Sequence, residues 1–117
     1  MGKEKDFEKK VREYLEKDCG CWVLKTWSNG VQREGVPDLL VCCNGYFLGV
    51  ELKAENGEPS TLQLRQIKMI RKAYGIGIVL YPDQFEEFKR LIYQLNEMLH
   101  YAATLFQTRF DKEEYWK

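Results

Sequence analysis

Val36-Pro37-Asp38-Leu39-Leu40-Val41-Cys42-Cys43-Asn44-Gly45-Tyr46-Phe47-Leu48-Gly49-Val50-Glu51-Leu52-Lys53 is the stretch that decides the fold. Two apolar runs flank Asn44-Gly45. Asn-Gly in that setting predicts a two-residue type I′ hairpin, because both turn residues must take positive φ. Such a turn sets Cys43 opposite Tyr46. Counting outward from that pair, Asp38 falls opposite Glu51, with Cβ atoms about 4.5–5.5 Å apart. Lys53 lies two residues beyond Glu51 and therefore on the same face of the sheet.

Directly opposed carboxylates repel each other. These two also sit among Val, Leu, Cys and Phe, where an unpaired charge is costly. A divalent cation that takes hard oxygen ligands, Mg²⁺ or Mn²⁺, would offset both costs. Lys53 offers partial compensation by itself, which would make Asp38, Glu51 and Lys53 a cross-strand salt-bridge cluster at a sheet rim. The three residues alone leave both readings open.

Outward from the hairpin, the periodicity predicts a helix over about residues 4–17, with Phe7, Val11, Tyr14 and Leu15 on one face. Gly20 stops it. Residues 21–26 form a β-branched and aromatic run that reads as a strand, followed by a Ser28-Asn29-Gly30 turn cluster. Ser60 or Thr61 caps a helix reaching about Tyr74 and stopped by Gly75. Residues 76–81 read as a buried strand. Pro82-Asp83 opens a helix over about 84–99, and residues 100–117 are helical in part. The order is helix, three strands, helix, strand, helix: an α/β domain with a mixed central sheet flanked by helices. We divide it as a domain over residues 1–99 and a C-terminal helical extension over 100–117.

The 117 residues suit one compact domain with its own core. No apolar run is long enough for a membrane span. The charged start, Met1-Gly2-Lys3-Glu4-Lys5-Asp6, lacks the apolar core of an export signal, so a cytoplasmic protein is expected. Cys19, Cys21, Cys42 and Cys43 lack C-x-x-C spacing, and buried free thiols are expected rather than a zinc site. Eighteen basic residues balance eighteen acidic ones. That balance argues against a nonspecific nucleic-acid coat, which would be basic overall. Gly75-Ile76-Gly77 lacks the later Gly and the Lys-Ser/Thr of a P-loop, so no nucleotide cofactor is expected.

Gly35-Val36-Pro37-Asp38, a hairpin, and Glu51-Leu52-Lys53 together resemble the signature of the PD-(D/E)XK nuclease superfamily. With Asn44-Gly45 and Ser60-Thr61-Leu62-Gln63, the chain more narrowly resembles the VRR-NUC domain, the virus-type replication-repair nuclease, over about residues 4–95. Short stand-alone versions of that domain are common in phages and prophages. The resemblance implies a restriction-endonuclease-like core in αβββαβ order. It implies Asp38, Glu51 and the backbone carbonyl of Leu52 as metal ligands. It makes Lys53 the residue that positions the attacking water or stabilises the transition state. The family often carries a further acidic ligand on the first helix. Here helical geometry favours Glu8, at the edge of the apolar face, over Glu13 and Glu16, which point away, and over Glu4 near the helix end. The family also has a glutamine on the helix after the E-x-K strand, which points to Gln63. Gln63 and Gln66 both fall among Leu62, Met69, Ile70 and Ala73 on the helical wheel, and Gln66 also reads as a core amide with a partner.

Arg65, Lys68, Arg71 and Lys72 share the outward face of that helix, with no acidic residue between them. A single-sign face suits DNA phosphates, although such faces are usually just solvated. Arg33 and Lys25 add to the basic rim; Lys25 resembles a basic position common in the family. Core packing is expected for Trp22, while Trp27, beside a loop, fits either a core role or base stacking. His100 is given no catalytic role. The function implied is a metal-dependent DNA endonuclease acting on branched, flap or junction DNA in phage replication or repair. The alternative of another class is a catalytically silent DNA-binding or assembly module. A domain this small also points to a homodimer, with Tyr101, Leu105, Phe106 and Phe110 as candidate interface residues.

Overall fold

The computed structural model describes residues 2–27, 34–99 and 102–117. The chain runs α1 (Gly2–Glu13), β1 (Trp22–Lys25), β2 (Leu39–Cys43), β3 (Tyr46–Leu52), α2 (Thr61–Lys72), β4 (Ile76–Leu80) and α3 (Phe85–Glu97). This is the αβββαβ order with a following helix. One π-helical turn, Tyr14–Asp18, continues α1, and a 3₁₀ turn, Pro82–Gln84, leads into α3. The tail forms 3₁₀ helix at Ala102–Phe110 and Glu113–Trp116. Arg33, the Ser28-Asn29-Gly30 cluster, His100, Tyr101 and the side chain of Leu105 lie outside the described residues.

The sheet is mixed, in the order β1-β2-β3-β4. β1–β2 and β2–β3 are antiparallel, and β3–β4 is parallel. Asn44 and Gly45 have φ of 52° and 88°, as a type I′ turn requires. The register that follows is the one the turn dictates, from Cys43 opposite Tyr46 to Leu39 opposite Val50. The Asn44 side chain does a second job: its Nδ2 donates to the carbonyls of Leu95 (2.7 Å) and Met98 (2.9 Å), pinning the hairpin tip to the end of α3.

Strand alternation divides the structure into three layers. Leu39, Val41, Cys43, Leu48, Val50, Leu52 and Leu80 pack against Phe7, Val11 and Leu15 of α1 and Phe85, Phe88, Ile92 and Leu95 of α3. The Phe7 and Phe85 rings meet edge to face, with centroids 6.1 Å apart. α2 covers the other face over β3 and β4. There Gly49 leaves room for Ile70, since an added Cβ would come within 2.5 Å of its Cδ1. Ile67 is the buried residue of α2, with Gln63, Gln66 and Ile70 half-buried beside it. Leu62 and Met69 are exposed instead, so the contact stripe of α2 is narrower than its helical wheel suggests. Tyr74 closes α2 with φ of 67°, one residue before the stop expected at Gly75.

Trp22 is 61% exposed, which corrects the core position expected for it. It pairs with Cys42, and Cys42 with Phe47, on the face that α2 covers only over β3 and β4. β1 is an edge strand, so nothing in the described fold lies above its outer residues. All four cysteines are free. Cys21 and Cys43 are buried, and burial pushes the Cys21 thiol up to about 12. Among the described residues no helix is long and apolar enough to cross a membrane.

Candidate active site

Asp38 enters β2 just before the first ladder pair, and Glu51 is the next-to-last residue of β3. The paired ladder ends with Leu39 opposite Val50, so Asp38 and Glu51 fall across from each other one step further out. Backbone contacts fix the Asp38 segment from both sides. The Thr26 N–H donates to the Asp38 carbonyl at 2.9 Å. The Thr26 hydroxyl donates to the carbonyls of Pro37 (2.8 Å) and Asp38 (3.2 Å). On the other side Gly35, with φ of 79°, lies so close to α2 that a Cβ there would be 2.5 Å from the backbone carbon of Leu62. The Gly-Val-Pro-Asp segment is thus wedged between β1 and the start of α2.

The Asp38 Oδ2 accepts the backbone N–H of Leu52 at 2.9 Å. Burial still raises the Asp38 carboxyl above its ordinary value, with the Leu52 N–H opposing and the charges of Glu4 and Glu8 adding to the rise. Glu51 is 1% exposed and is the one charged side chain in the buried set of described residues. Burial first, then the Asp38 charge, push its carboxyl up to about 7, against the pull of Lys53. The Lys53 Nζ stands 3.3 Å from Glu51 Oε2. The other oxygen, Oε1, is buried and has no hydrogen-bond partner among the described residues. A buried carboxylate oxygen without a partner is costly. Two carboxylates with one unsatisfied oxygen, beside a strand-end carbonyl, suit a hard divalent cation that keeps several waters.

Lys53 is held by its surroundings. Its N–H donates to the Leu80 carbonyl at 3.0 Å. A turn closed by Gly57 N–H to Ala54 carbonyl (2.9 Å) follows it, and Gly57 faces the Lys53 stem, so that an added Cβ would lie 3.5 Å from Cδ. The Tyr81 hydroxyl donates to the Gly57 carbonyl at 2.8 Å.

The remaining expected residues are distributed unevenly. Glu8 points toward this end of the sheet, but its Oε2 is engaged by Lys25 (3.0 Å) and Arg12 (3.3 Å). Among the described residues no three His, Cys, Asp or Glu side chains gather closely enough to hold a metal. Gln63 completes a capping box: its Oε1 accepts the Ser60 N–H at 2.8 Å, and its own N–H donates to Ser60 Oγ at 3.1 Å. The capping box uses its Oε1 and leaves its Nε2 outside it. Gln66 reaches the Glu34 carbonyl at 3.5 Å. Arg65, Lys68, Arg71 and Lys72 are exposed, although Arg71 Nε donates to the Gly77 carbonyl at 2.7 Å and so ties α2 to β4. Thr26 and Tyr81 escaped sequence reasoning, because their partners are backbone carbonyls brought close only by the fold. Glu4 lies in the first turn of α1, and its charge reaches Asp38.

Residues 2–75 match the family described as archaeal Holliday junction resolvase (Hjc). The chain is also similar to a solved VRR_NUC domain, at 34% identity and a TM-score of 0.64, over 80% of this chain and 97% of that one. The chain belongs to this nuclease family, as a VRR-NUC domain. No curated protein matches it. The mixed sheet and flanking helices of the VRR-NUC domain are those of a restriction-endonuclease-like fold.

Proposed function

We propose that this VRR-NUC domain is a Mg²⁺- or Mn²⁺-dependent DNA endonuclease that hydrolyses phosphodiester bonds in branched, flap or junction DNA. The observation that carries the proposal is the Glu51 carboxylate, fully buried opposite Asp38 with one oxygen unsatisfied. Asp38, Glu51 and the Leu52 carbonyl would hold the cation, with Glu8 reaching it once released from Lys25 and Arg12. A cation held there would supply Lewis acidity to the phosphoryl group and make the attacking water more acidic. Lys53, 3.3 Å from Glu51 Oε2, would orient the attacking water and donate to the phosphoryl oxygen as negative charge grows on it. The attacking water gives up a proton to solvent as the new P–O bond forms and the bond to the leaving ester oxygen breaks, and solvent returns a proton to that oxygen. Gln63 Nε2 is a further donor for the scissile phosphate. Lys25, Arg33, Arg65, Lys68, Arg71 and Lys72 would contact flanking phosphates, without reading bases.

The described part of the tail leaves Phe106, Phe110, Tyr115 and Trp116 exposed, which supports a homodimer through residues 100–117. A monomer at tens of micromolar in sedimentation would remove that element of the proposal.

The deciding experiment is cleavage of a labelled linear duplex, single strand, flap and four-way junction in EDTA, Mg²⁺ or Mn²⁺. Glu51→Ala and Lys53→Ala serve as controls. Metal-dependent cutting lost in both variants is expected, with Lys53→Ala slower by about 10²–10³-fold. Absence of cutting and of metal binding by folded protein would refute the proposal and leave Asp38, Glu51 and Lys53 as a structural charge cluster in a silent module.

A further inference from the structure

Trp27 stands where the chain leaves β1, and it is 62% exposed. A packed tryptophan buries roughly 150–250 Å², so this ring forgoes most of what the core could offer. One contact of its own and two of its neighbours relate it to the elements that carry Asp38 and Glu8. Its neighbour Thr26 bonds the Asp38 carbonyl through both N–H and hydroxyl. The Lys25 Nζ lies 4.5 Å from the indole centroid. The same ammonium is 3.0 Å from Glu8 Oε2. The cation on one face gives the ring a preferred orientation, and the Thr26 bonds tie the backbone beneath it to the catalytic strand. Trp22 is as exposed but sits toward the hairpin end of the sheet, paired with Cys42. Trp116 belongs to the tail.

We propose that Trp27 is a nucleobase-stacking site that receives an unpaired base beside the scissile phosphate. The proposal rests on the nuclease reading and deepens it, by giving a physical source for selection of open DNA. A base in continuous duplex is already stacked on both faces, so an indole gains little from it. A base in a single-stranded arm, a flap or a branch point has a face to offer. Stacking is tolerant of base identity, because every base has a π face. Selection would thus follow DNA structure and not sequence.

The test uses the full chain carrying Trp22→Phe and Trp116→Phe, which leaves Trp27 as the sole indole. Its fluorescence is followed while single-stranded, flap and blunt duplex oligonucleotides are added, in EDTA and again in Ca²⁺. Saturable quenching by the single strand and the flap, with little by the duplex, is expected. In the otherwise native chain, Trp27→Leu should weaken flap binding by ~5- to 150-fold, the range that loss of one stacked base implies. Duplex binding should stay within about twofold, and Trp27→Phe should restore most of the flap affinity. Equal quenching by duplex, no quenching in either condition, or native flap affinity in Trp27→Leu would each overturn the proposal. Circular dichroism of Trp27→Leu and Trp27→Phe separates misfolding from lost stacking. Quenching without metal-dependent cleavage would sink the nuclease reading and keep the stacking site; cleavage without quenching would do the reverse.

Discussion

The Asp38 carboxylate accepts the backbone N–H of Leu52 at 2.9 Å across the β2–β3 hairpin. That bond fixes the orientation of one carboxylate and partly offsets its burial. The facing carboxylate of Glu51 has Lys53 on one oxygen and no partner on the other. The two carboxyls are therefore partnered differently, and burial with the Asp38 charge pushes that of Glu51 up to about 7.

A pH dependence of stability follows. The folded-state pKa of Glu51 lies above its ordinary 4.5, so the folded chain binds this proton more tightly than the unfolded chain. The resulting stabilisation is complete below about 4.5 and is lost as pH rises through about 7. In EDTA, the Tm should fall between about pH 5 and 8, and Glu51→Gln should flatten that fall and raise the Tm at pH 8 by ~5 °C. Added Mg²⁺ should recover more Tm at pH 8 than at pH 5.5, since cation and proton compete for the same oxygens. Parallel Tm profiles for Glu51→Gln and the native chain would contradict this account.

Tyr81→Phe removes a single hydroxyl, the one that bonds the Gly57 carbonyl in the turn facing the Lys53 stem. We expect a loss of about 1 kcal/mol in stability, the usual worth of one hydrogen bond. We also expect a fall of roughly tenfold in the single-turnover cleavage rate, with DNA affinity unchanged, because a misplaced lysine affects the transition state more than binding. Native cleavage by the folded variant would show that the clamp is only structural.

The basic residues of α2 should separate by role. Arg65→Gln, Lys68→Gln and Lys72→Gln should each weaken DNA binding for all sequences alike and reduce the salt slope by about one. Arg71→Gln should also destabilise the fold, by ~1–2 kcal/mol, because its Nε serves the Gly77 carbonyl. Binding measured at several salt concentrations, together with urea unfolding, distinguishes the two classes. Equal stability for all four variants would remove the distinction.

Gly35→Ala should be among the most damaging small changes. Its φ of 79° disfavours any side chain, and the new Cβ would meet the Leu62 backbone at 2.5 Å. A loss of more than about 2 kcal/mol is expected in denaturant unfolding. A change within about 0.5 kcal/mol would mean that the segment leading into Asp38 can shift away from α2.

Much of this arrangement was legible in the chain alone, for local reasons. Asn44-Gly45 admits one tight turn, and that turn sets the register of Asp38 against Glu51 without any distant contact. The apolar period of α1 and the Ser60–Gln63 capping box are likewise written within a few residues. The sequence could not reveal which stripe of α2 touches the sheet, nor that Trp22 lies outside the core. Both depend on how far α2 extends across the sheet, and it stops at β3 and β4.

The tertiary structure decided what surrounds the two carboxylates. It buried Glu51 and left its Oε1 unsatisfied, while it met Asp38 with the Leu52 N–H. It closed Lys25 and Arg12 on Glu8 and used Tyr81 to hold the loop behind Lys53. Turn chemistry and side-chain period act over a few residues, so the sequence by itself determined the β2–β3 pairing and the candidate catalytic face. Burial, desolvation and long-range hydrogen bonds depend on packing between distant elements, so only the folded chain could determine the protonation and geometry of that face.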